Sequence, residues 1–215
     1  MCGIFGIIAN DNVNLKHLSI LAKNARQRGK DSSGFLEYDG SKYSISKFDY
    51  DLKKSIKNLN KKNKIVIGHS RLVTNSMADN QPIFKHDMCL IHNGIVVNFE
   101  ELFIKFGLKQ DLKIDTEIII ELFNYFYNQN KDIKNTVISI LSHIEGSASC
   151  VIHLKKIGKL ILFTNNGSLY WGHKNKNTYI SSESFSLKKI NCDYIEKVIN
   201  TIIIDIPSCD KKTSI

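Results

Sequence analysis

The second residue of the chain is a cysteine, and this position gives it two reactive groups. A small residue after the initiator methionine usually permits removal of Met1, which leaves Cys2 as the N-terminus. The thiolate of Cys2 is then a strong nucleophile, and its α-amine, which titrates near neutral pH, can act as a general base. The alternative is structural, because Cys2 precedes an apolar run at residues 3–8 that is typical of a buried strand. The chemical interpretation therefore depends on the rest of the chain.

Four further polar clusters lie beside glycines or at the ends of apolar runs, where a buried scaffold can present side chains to a site. They comprise residues 28–34, 69–75 and 92–94, and Asp115. A thiol that cleaves an amide needs donors for the oxyanion that forms, and Asn93 with the N–H of Gly94 can supply two. If the substrate is an α-amino acid, Arg71 can bind its carboxylate and Asp115 its ammonium group.

Each of these residues also has an ordinary structural explanation. Arg71 suits a surface ion pair, and Asp115 suits a helix N-cap. The pair Asn93-Gly94 is typical of a hairpin turn. Taken one at a time these explanations are the more common ones, and only the whole set favours a catalytic site.

Hydrophobic periodicity predicts the elements that must position these residues. Strands are predicted at residues 3–8, 34–38, 41–48, 65–69, 88–91, 148–154, 159–164, 168–172, 177–182 and 201–206. Helices are predicted at about 15–27, 52–59, 99–106, 115–127 and 132–145, and a loop at 76–85. This order ends in a run of strands and indicates packed layers with antiparallel pairing, which is an α+β fold.

The composition indicates one domain without a membrane segment. The chain has 215 residues, of which 42% are apolar, and no glycine- or serine-rich linker divides it. We therefore interpret residues 1–215 as a single domain. No apolar run reaches the ~18–20 residues of a membrane span, and no basic region precedes the first apolar run as in a signal peptide.

Cysteine usage indicates a reducing compartment, so a cytoplasmic protein is expected. The five cysteines are odd in number and show no metal-ligand spacing, and no metal or other cofactor is expected. Cys89 and Cys150 lie in apolar runs and are interpreted as core residues. Three histidines are interpreted as structural: His69, His92 and His143.

The formal net charge of +9 comes mostly from lysines that are scattered along the chain. Nucleic-acid-binding proteins of this charge usually concentrate basic residues in a patch, often with interleaved aromatic residues. No such pattern is present in the sequence. A solvated lysine surface explains the charge, and nucleic acid is not an expected partner.

Five motifs, in order along residues 1–117, resemble those of the class II glutamine amidotransferases, whose glutaminase domain uses an N-terminal nucleophile. They are Met1-Cys2-Gly3-Ile4-Phe5-Gly6, Arg28-Gly29-Lys30-Asp31-Ser32-Ser33-Gly34, Gly68-His69-Ser70-Arg71-Leu72-Val73-Thr74, His92-Asn93-Gly94 and Asp115-Thr116-Glu117. Each motif alone is weak evidence, but five in order with a cysteine at position two are strong evidence. Weaker similarity continues to Ser181-Ser182-Glu183.

The resemblance implies a four-layer αββα sandwich of the N-terminal-nucleophile hydrolase type. It implies hydrolysis of L-glutamine to glutamate and ammonia, with Cys2 as nucleophile and base and with Asn93 and Gly94 as the oxyanion hole. The ammonia would pass to an acceptor on a separate synthase domain or subunit. Four more residues would bind glutamine or support the nucleophile: Arg71 at the α-carboxylate, Asp115 at the α-amino group, Thr74 in the pocket wall and Arg28 at the N-terminal segment.

The motifs fit no single subgroup of that family. Leu72 resembles the asparagine-synthetase-like members, and Gln81-Pro82-Ile83 resembles an element of the asparagine-synthetase and purine-pathway members. By contrast, His92-Asn93-Gly94-Ile95 resembles the sugar-phosphate-aminating members. The acceptor of ammonia is therefore open. Two alternatives remain open as well: an inactive glutaminase-like subunit that binds a partner or senses glutamine, and an N-terminal-nucleophile hydrolase of another amide. The polar segment from Thr74 to Lys85 is expected to be mobile alone and to order over glutamine or against a partner.

Overall fold

Two antiparallel sheets form the centre of the molecule. The computed structural model describes residues 2–48, 52–71 and 80–206, with the side chains of 52–54 left aside, and all structural statements concern these ranges. The strands are β1 (Gly3–Ile8), β2 (Ser32–Tyr38), β3 (Tyr43–Phe48), β4 (Ile65–Arg71), β5 (Ile83–Lys85), β6 (Met88–Val96), β7 (Gly146–Leu154), β8 (Lys159–Thr164), β9 (Tyr170–Lys174), β10 (Asn177–Ser181), β11 (Tyr194–Lys197) and β12 (Ile202–Asp205). Within the described residues one sheet has the order β11-β9-β10-β1-β4-β2-β3, and the other has the order β12-β8-β7-β6-β5.

The helices lie on the outer faces of these sheets. They are α1 (Leu15–Arg28), α2 (Leu52–Lys57), α3 (Phe99–Lys105), α4 (Thr116–Asn130), α5 (Ile133–His143) and α6 (Ser184–Lys189), with a short 3₁₀ turn at Lys155–Ile157. Helix α1 begins at an N-cap, Asn14, whose side chain accepts from the N–H groups of Lys16 and His17. None of the helices in the described ranges is long and apolar enough to cross a membrane.

Three apolar clusters show that the elements are stacked in four layers. Between α1, α6 and the outer face of the first sheet lie Phe5, Leu18, Leu21, Tyr179 and Leu187. Between α3, α4, α5 and the second sheet lie Leu90, Leu102, Ile118, Phe123 and Ile140. The two sheets face each other across Ile4, Ile67, Ile91, Val151 and Leu162. Each such buried side chain contributes roughly 1.5–3 kcal/mol, so the three clusters hold the layers together. The predicted αββα sandwich is confirmed.

The predicted elements agree with the structure except for three short ones. The predicted loop at 76–85 contains β5, and neither β11 nor α6 was predicted. Strand β5 has three residues and an exposed Phe84, and β11 is a mostly exposed edge strand. Such segments lack the alternation of apolar and polar residues on which sequence prediction depends, because neither face is fully buried.

Candidate active site

The alternation of side chains along two strands brings Cys2 and Asn93 into the gap between the sheets. Ile4 and Ile8 of β1 face this gap, and Cys2 precedes Ile4 by two positions on the same side of the strand. Cys89 and Ile91 of β6 face the gap from the other sheet, and Asn93 continues that series. The nitrogen of Cys2 donates to Asn93 Oδ1 at 3.1 Å. This nitrogen is a peptide nitrogen while Met1 is present and becomes the α-amine when Met1 is removed.

Arg28, the last residue of α1, holds the N-terminal segment. Its Nε donates to the carbonyl oxygen of Cys2 at 2.9 Å. Its guanidinium group also pairs with the carboxylate of Glu183, which directly precedes α6. Because the fork of an arginine makes both bonds at once, Arg28 sets the position of Cys2 relative to two helices. The resemblance implied that Arg28 helps to hold the N-terminal segment, and its role in catalysis stays a prediction.

A cavity of about 420 Å³ opens at this point. Cys2, Arg28, Asn93 and Gly94 line it, with Ser147 from β7 and residues 166–168 of the turn after β8. The volume falls within the roughly 300–1,000 Å³ of small-molecule sites. The structure therefore brings four of the predicted site residues together around one cavity.

Gly94 can be replaced by no other residue without a change in the backbone. Its φ is +152°, and an added Cβ would lie 1.9 Å from the carbonyl oxygen of Ser147. Ala148, which lies opposite Gly94, uses both its N–H and its carbonyl on Asn165. The pair Gly94–Ala148 is thus a non-hydrogen-bonded pair, and the N–H of Gly94 points to the other edge of β6.

At that edge of β6, side chains occupy the N–H groups on either side of Gly94. The N–H of His92 donates to Gln81 Oε1 at 2.6 Å, and the N–H of Val96 donates to Asp115 Oδ2 at 2.8 Å. Strand β5 pairs with β6 only as far as Leu90. Among the residues that the structure describes, no strand pairs with β6 at Gly94 on this edge, so its N–H has the orientation that a donor to an oxyanion would need.

Two predicted substrate-binding residues lie near this cavity but are not among the residues that line it. Arg71 is buried at the end of β4, one position beyond the Ser70 that pairs with Gly3. Asp115 is half-buried before α4, and its carboxylate binds the backbone of β6 instead of capping the helix. Thr74 lies outside the described residues, as do residues 75–79 of the segment that is expected to be mobile.

Several residues at the site were not predicted from the sequence. Glu183 belongs to a weakly similar motif, but nothing in that motif indicated an ion pair with Arg28. Ser147 and Lys197 line the cavity without any sequence signal. Among the described residues, no group of three or more His, Cys, Asp or Glu side chains is placed to hold a metal ion.

Replacement of Arg28 by Lys should lower catalysis while the chain stays folded. A lysine ammonium group cannot bind the Cys2 carbonyl and Glu183 with the geometry of the guanidinium fork, so Cys2 loses its fixed position. We expect kcat for amide hydrolysis to fall on the order of tenfold to a hundredfold, as displacement of a reacting group does. Arg26→Lys, two residues earlier on the exposed side of α1, is the matched control. Equal rates for Arg28→Lys and the parent chain would contradict this role.

Comparison with known proteins agrees with this geometry. The family described as "Glutamine amidotransferase domain" matches residues 69–189, which is more than half of the chain. Two curated relatives are glutamine–fructose-6-phosphate aminotransferases (isomerizing). The protein of Fusobacterium nucleatum subsp. nucleatum is 28% identical over 207 residues, covering 91% of this chain and 34% of the relative. That of Buchnera aphidicola subsp. Baizongia pistaciae is 32% identical over 213 residues, with the same coverage. The chain thus spans about a third of the length of these relatives.

Solved structures agree on the fold. The glutamine phosphoribosylpyrophosphate amidotransferase of B. subtilis superposes with a TM-score of 0.75 at 22% identity, covering 95% of this chain and 47% of that one. A second structure, of the allosteric regulatory enzyme of purine biosynthesis, gives a TM-score of 0.74. The predicted resemblance to class II glutamine amidotransferases, and with it the prediction of an enzyme, is confirmed. The chain belongs to the glutamine amidotransferase domain family.

Proposed function

We propose that residues 1–215 form a single glutaminase domain that hydrolyses L-glutamine to glutamate and ammonia after Met1 is removed. The observation that carries this proposal is the bond from the Cys2 nitrogen to Asn93 Oδ1, beside a Gly94 N–H that has no ladder partner among the described strands. In this proposal Cys2 is the nucleophile and the base, and Asn93 and Gly94 supply two oxyanion donors at the cavity that all three residues line. Membership of the glutamine amidotransferase domain family supports glutamine as the substrate.

The proposed reaction has two halves. The α-amine of Cys2 takes the thiol proton, and the sulfur attacks the side-chain amide carbon of glutamine. Asn93 Nδ2 and the N–H of Gly94 stabilise the oxyanion, and the amine returns the proton to the departing nitrogen, which leaves as ammonia. Water then attacks the thioester, with the amine as base, and releases glutamate and the free thiol. Asn93 can act in this way because its Oδ1 bonds the Cys2 nitrogen, which leaves Nδ2 for the substrate.

Arg71 and Asp115 are proposed to bind the α-carboxylate and α-amino groups of glutamine. Asp115→Asn should raise the KM for glutamine, because the amide keeps the bond to the Val96 N–H but loses the charge that pairs with an ammonium group. Arg71→Lys should do the same, since a lysine cannot form the bidentate pair. We expect increases in KM on the order of tenfold or more, measured by steady-state glutamate release. Parent-like KM values in both variants would mean that glutamine binds elsewhere.

The ammonia is proposed to pass to a synthase domain or subunit. The relatives are named as aminotransferases of a phosphorylated sugar, and this chain spans 34% of each. Glutamate release should be measured for the chain alone and with candidate synthases and their acceptors. A rate that rises with one synthase and its acceptor supports the proposal. A stand-alone rate as high as that of every mixture, with no synthase retained on co-purification, indicates a plain hydrolase instead.

The decisive test of the proposed reaction is a glutaminase assay of the untagged chain after intact-mass confirmation that Met1 is absent. Glutamine, asparagine and a small panel of other primary amides should be compared. Selective release of glutamate supports the proposal. Turnover of another amide in preference to glutamine indicates a different hydrolase, and binding of glutamine without turnover indicates a glutaminase-like sensor.

A further inference from the structure

A buried hydrogen-bond chain lies directly behind the oxyanion residues, on the side of β6 that faces α4. It joins Gln81, Thr116 and His92, whose side chains take no part in the catalytic steps above. Gln81 Oε1 accepts from the backbone N–H of His92 at 2.6 Å. Gln81 Nε2 and His92 Nδ1 each lie 3.1 Å from Thr116 Oγ1. All three residues are exposed by 5% or less, so no bulk water replaces these bonds.

The directions of these bonds determine where each proton lies. Because Gln81 Oε1 is the acceptor for the His92 N–H, its Nε2 is the donor to the Thr116 hydroxyl. The carbonyl oxygen of Ser147 lies 3.4 Å from His92 Nε2 and can only accept, so this bond takes its proton from Nε2. In a neutral ring with its proton on Nε2, His92 Nδ1 is an acceptor, and the Thr116 hydroxyl donates to it.

The surroundings of His92 favour this neutral ring. Burial is the largest influence and lowers the pKa of His92, although the nearby carboxylate of Asp115 opposes it. His69, from β4, is also buried, and burial lowers its pKa to about 3. Neither ring is then a cation at neutral pH, and the chain of bonds through Thr116 stays intact.

The hydrogen-bond chain of Gln81, Thr116 and His92 contacts the backbone beside the proposed oxyanion donors at two places. Through Gln81 it holds the N–H of His92, the residue before Asn93. Through His92 Nε2 it holds the carbonyl of Ser147, the same atom that lies 1.9 Å from where a Cβ on Gly94 would be. Both bonds act within one or two residues of the groups that would bind the oxyanion.

We propose that Gln81, Thr116 and His92 are positioning residues, and that an Nε2-protonated His92 holds Asn93 and Gly94 in the geometry that stabilises the oxyanion. The inference rests on the proposed glutaminase function. It predicts an effect on kcat, because the hydrogen-bond chain acts on donors that are used in the transition state. Its one link to a residue assigned to glutamine binding is that Thr116 follows Asp115 in the sequence.

The test compares Thr116→Val with Thr116→Ser. Valine has the shape of threonine without the hydroxyl, so Gln81 Nε2 and His92 Nδ1 both lose their partner, whereas serine keeps the bond. We expect kcat of Thr116→Val to fall on the order of tenfold to a hundredfold with KM changed by about twofold or less, and Thr116→Ser to stay near the parent. Thr136→Val is the matched control, because Thr136 is fully buried and its hydroxyl bonds Asn130 Oδ1 and the carbonyl oxygen of Asp132, where α4 ends and α5 begins.

A second readout does not need enzyme activity. The ¹⁵N and ¹H signals of the His92 ring should report the Nε2-protonated tautomer in the parent chain and a loss of that single tautomer in Thr116→Val. The proposal is overturned if the parent ring is protonated on Nδ1, if Thr116→Ser is as impaired as Thr116→Val, or if folded Thr116→Val keeps the parent kcat. A change confined to KM also overturns it. If the parent protein hydrolyses no glutamine, the proposed function is wrong instead. The tautomer of His92 then still tests the hydrogen-bond chain.

Discussion

Cys2→Ala should reduce glutamine hydrolysis to the level of buffer alone, because no other described cysteine can act as the nucleophile. Burial raises the pKa of Cys89 to about 12 and that of Cys192 to about 11, and it also raises the pKa of Cys150 well above its ordinary value. These thiols stay protonated near neutral pH, and only the thiolate is reactive. The measurement is glutamate release by chains whose N-terminus has been verified by intact mass.

Two companion variants separate the thiol from the amine. One extra residue in front of Cys2 keeps the thiol but converts the amine into a peptide nitrogen, and we expect it to be as inactive as Cys2→Ala. Cys192→Ala is the control, since Cys192 is a free cysteine outside the cavity. Full turnover by the extended chain would show that the amine is not the base, and full turnover by Cys2→Ala would place the nucleophile elsewhere.

Asn93→Asp should lower kcat on the order of a hundredfold to a thousandfold, which is the usual effect of removing one oxyanion donor. The substitution nearly preserves shape, and one carboxylate oxygen can still accept from the Cys2 nitrogen. The other oxygen replaces the Nδ2 donor with a negative charge, which faces the developing oxyanion and repels it. KM for glutamine should change much less than kcat, because the donor acts mainly in the transition state.

Asn14→Asp provides the matched control for this variant. Asn14 also uses its side-chain oxygen as an acceptor, here as the N-cap of α1, so the same exchange preserves its bonds. We expect parent-like kinetics from Asn14→Asp. If Asn93→Asp kept kcat within about tenfold of the parent, the side chain of Asn93 would have a structural role and the oxyanion donors would have to be sought elsewhere.

The family and the layered fold could be predicted from the sequence because their signals are local. The reactive thiol and amine belong to one residue, Cys2, and the motifs around it are short runs of contiguous residues. Helices such as α4 and buried strands such as β1 carry their own periodicity, so each could be recognised without knowledge of its neighbours. The exposed edge strand β11 carries no such periodicity and was missed for that reason.

The tertiary structure alone decided which partners the side chains at the site bind. Asp115 was weighed as an N-cap, yet its carboxylate bonds the N–H of Val96 on another element. Gln81 was noted only as a subgroup marker, yet it holds the strand next to Asn93. Side chains that bond across elements leave no periodic trace in the sequence.

The sequence by itself predicted the kind of chemistry, since a cysteine left at the N-terminus by removal of Met1 would be at once nucleophile and base. Only the tertiary structure decided that the Cys2 nitrogen meets Asn93, which is 91 residues away. It also decided that, within the described part of the chain, the N–H of Gly94 has no ladder partner, because β6 pairs with β7 on one side and β5 ends early on the other. The physical reason is that sheet register is set by packing between layers, and a shift of one residue would turn Asn93 away from Cys2.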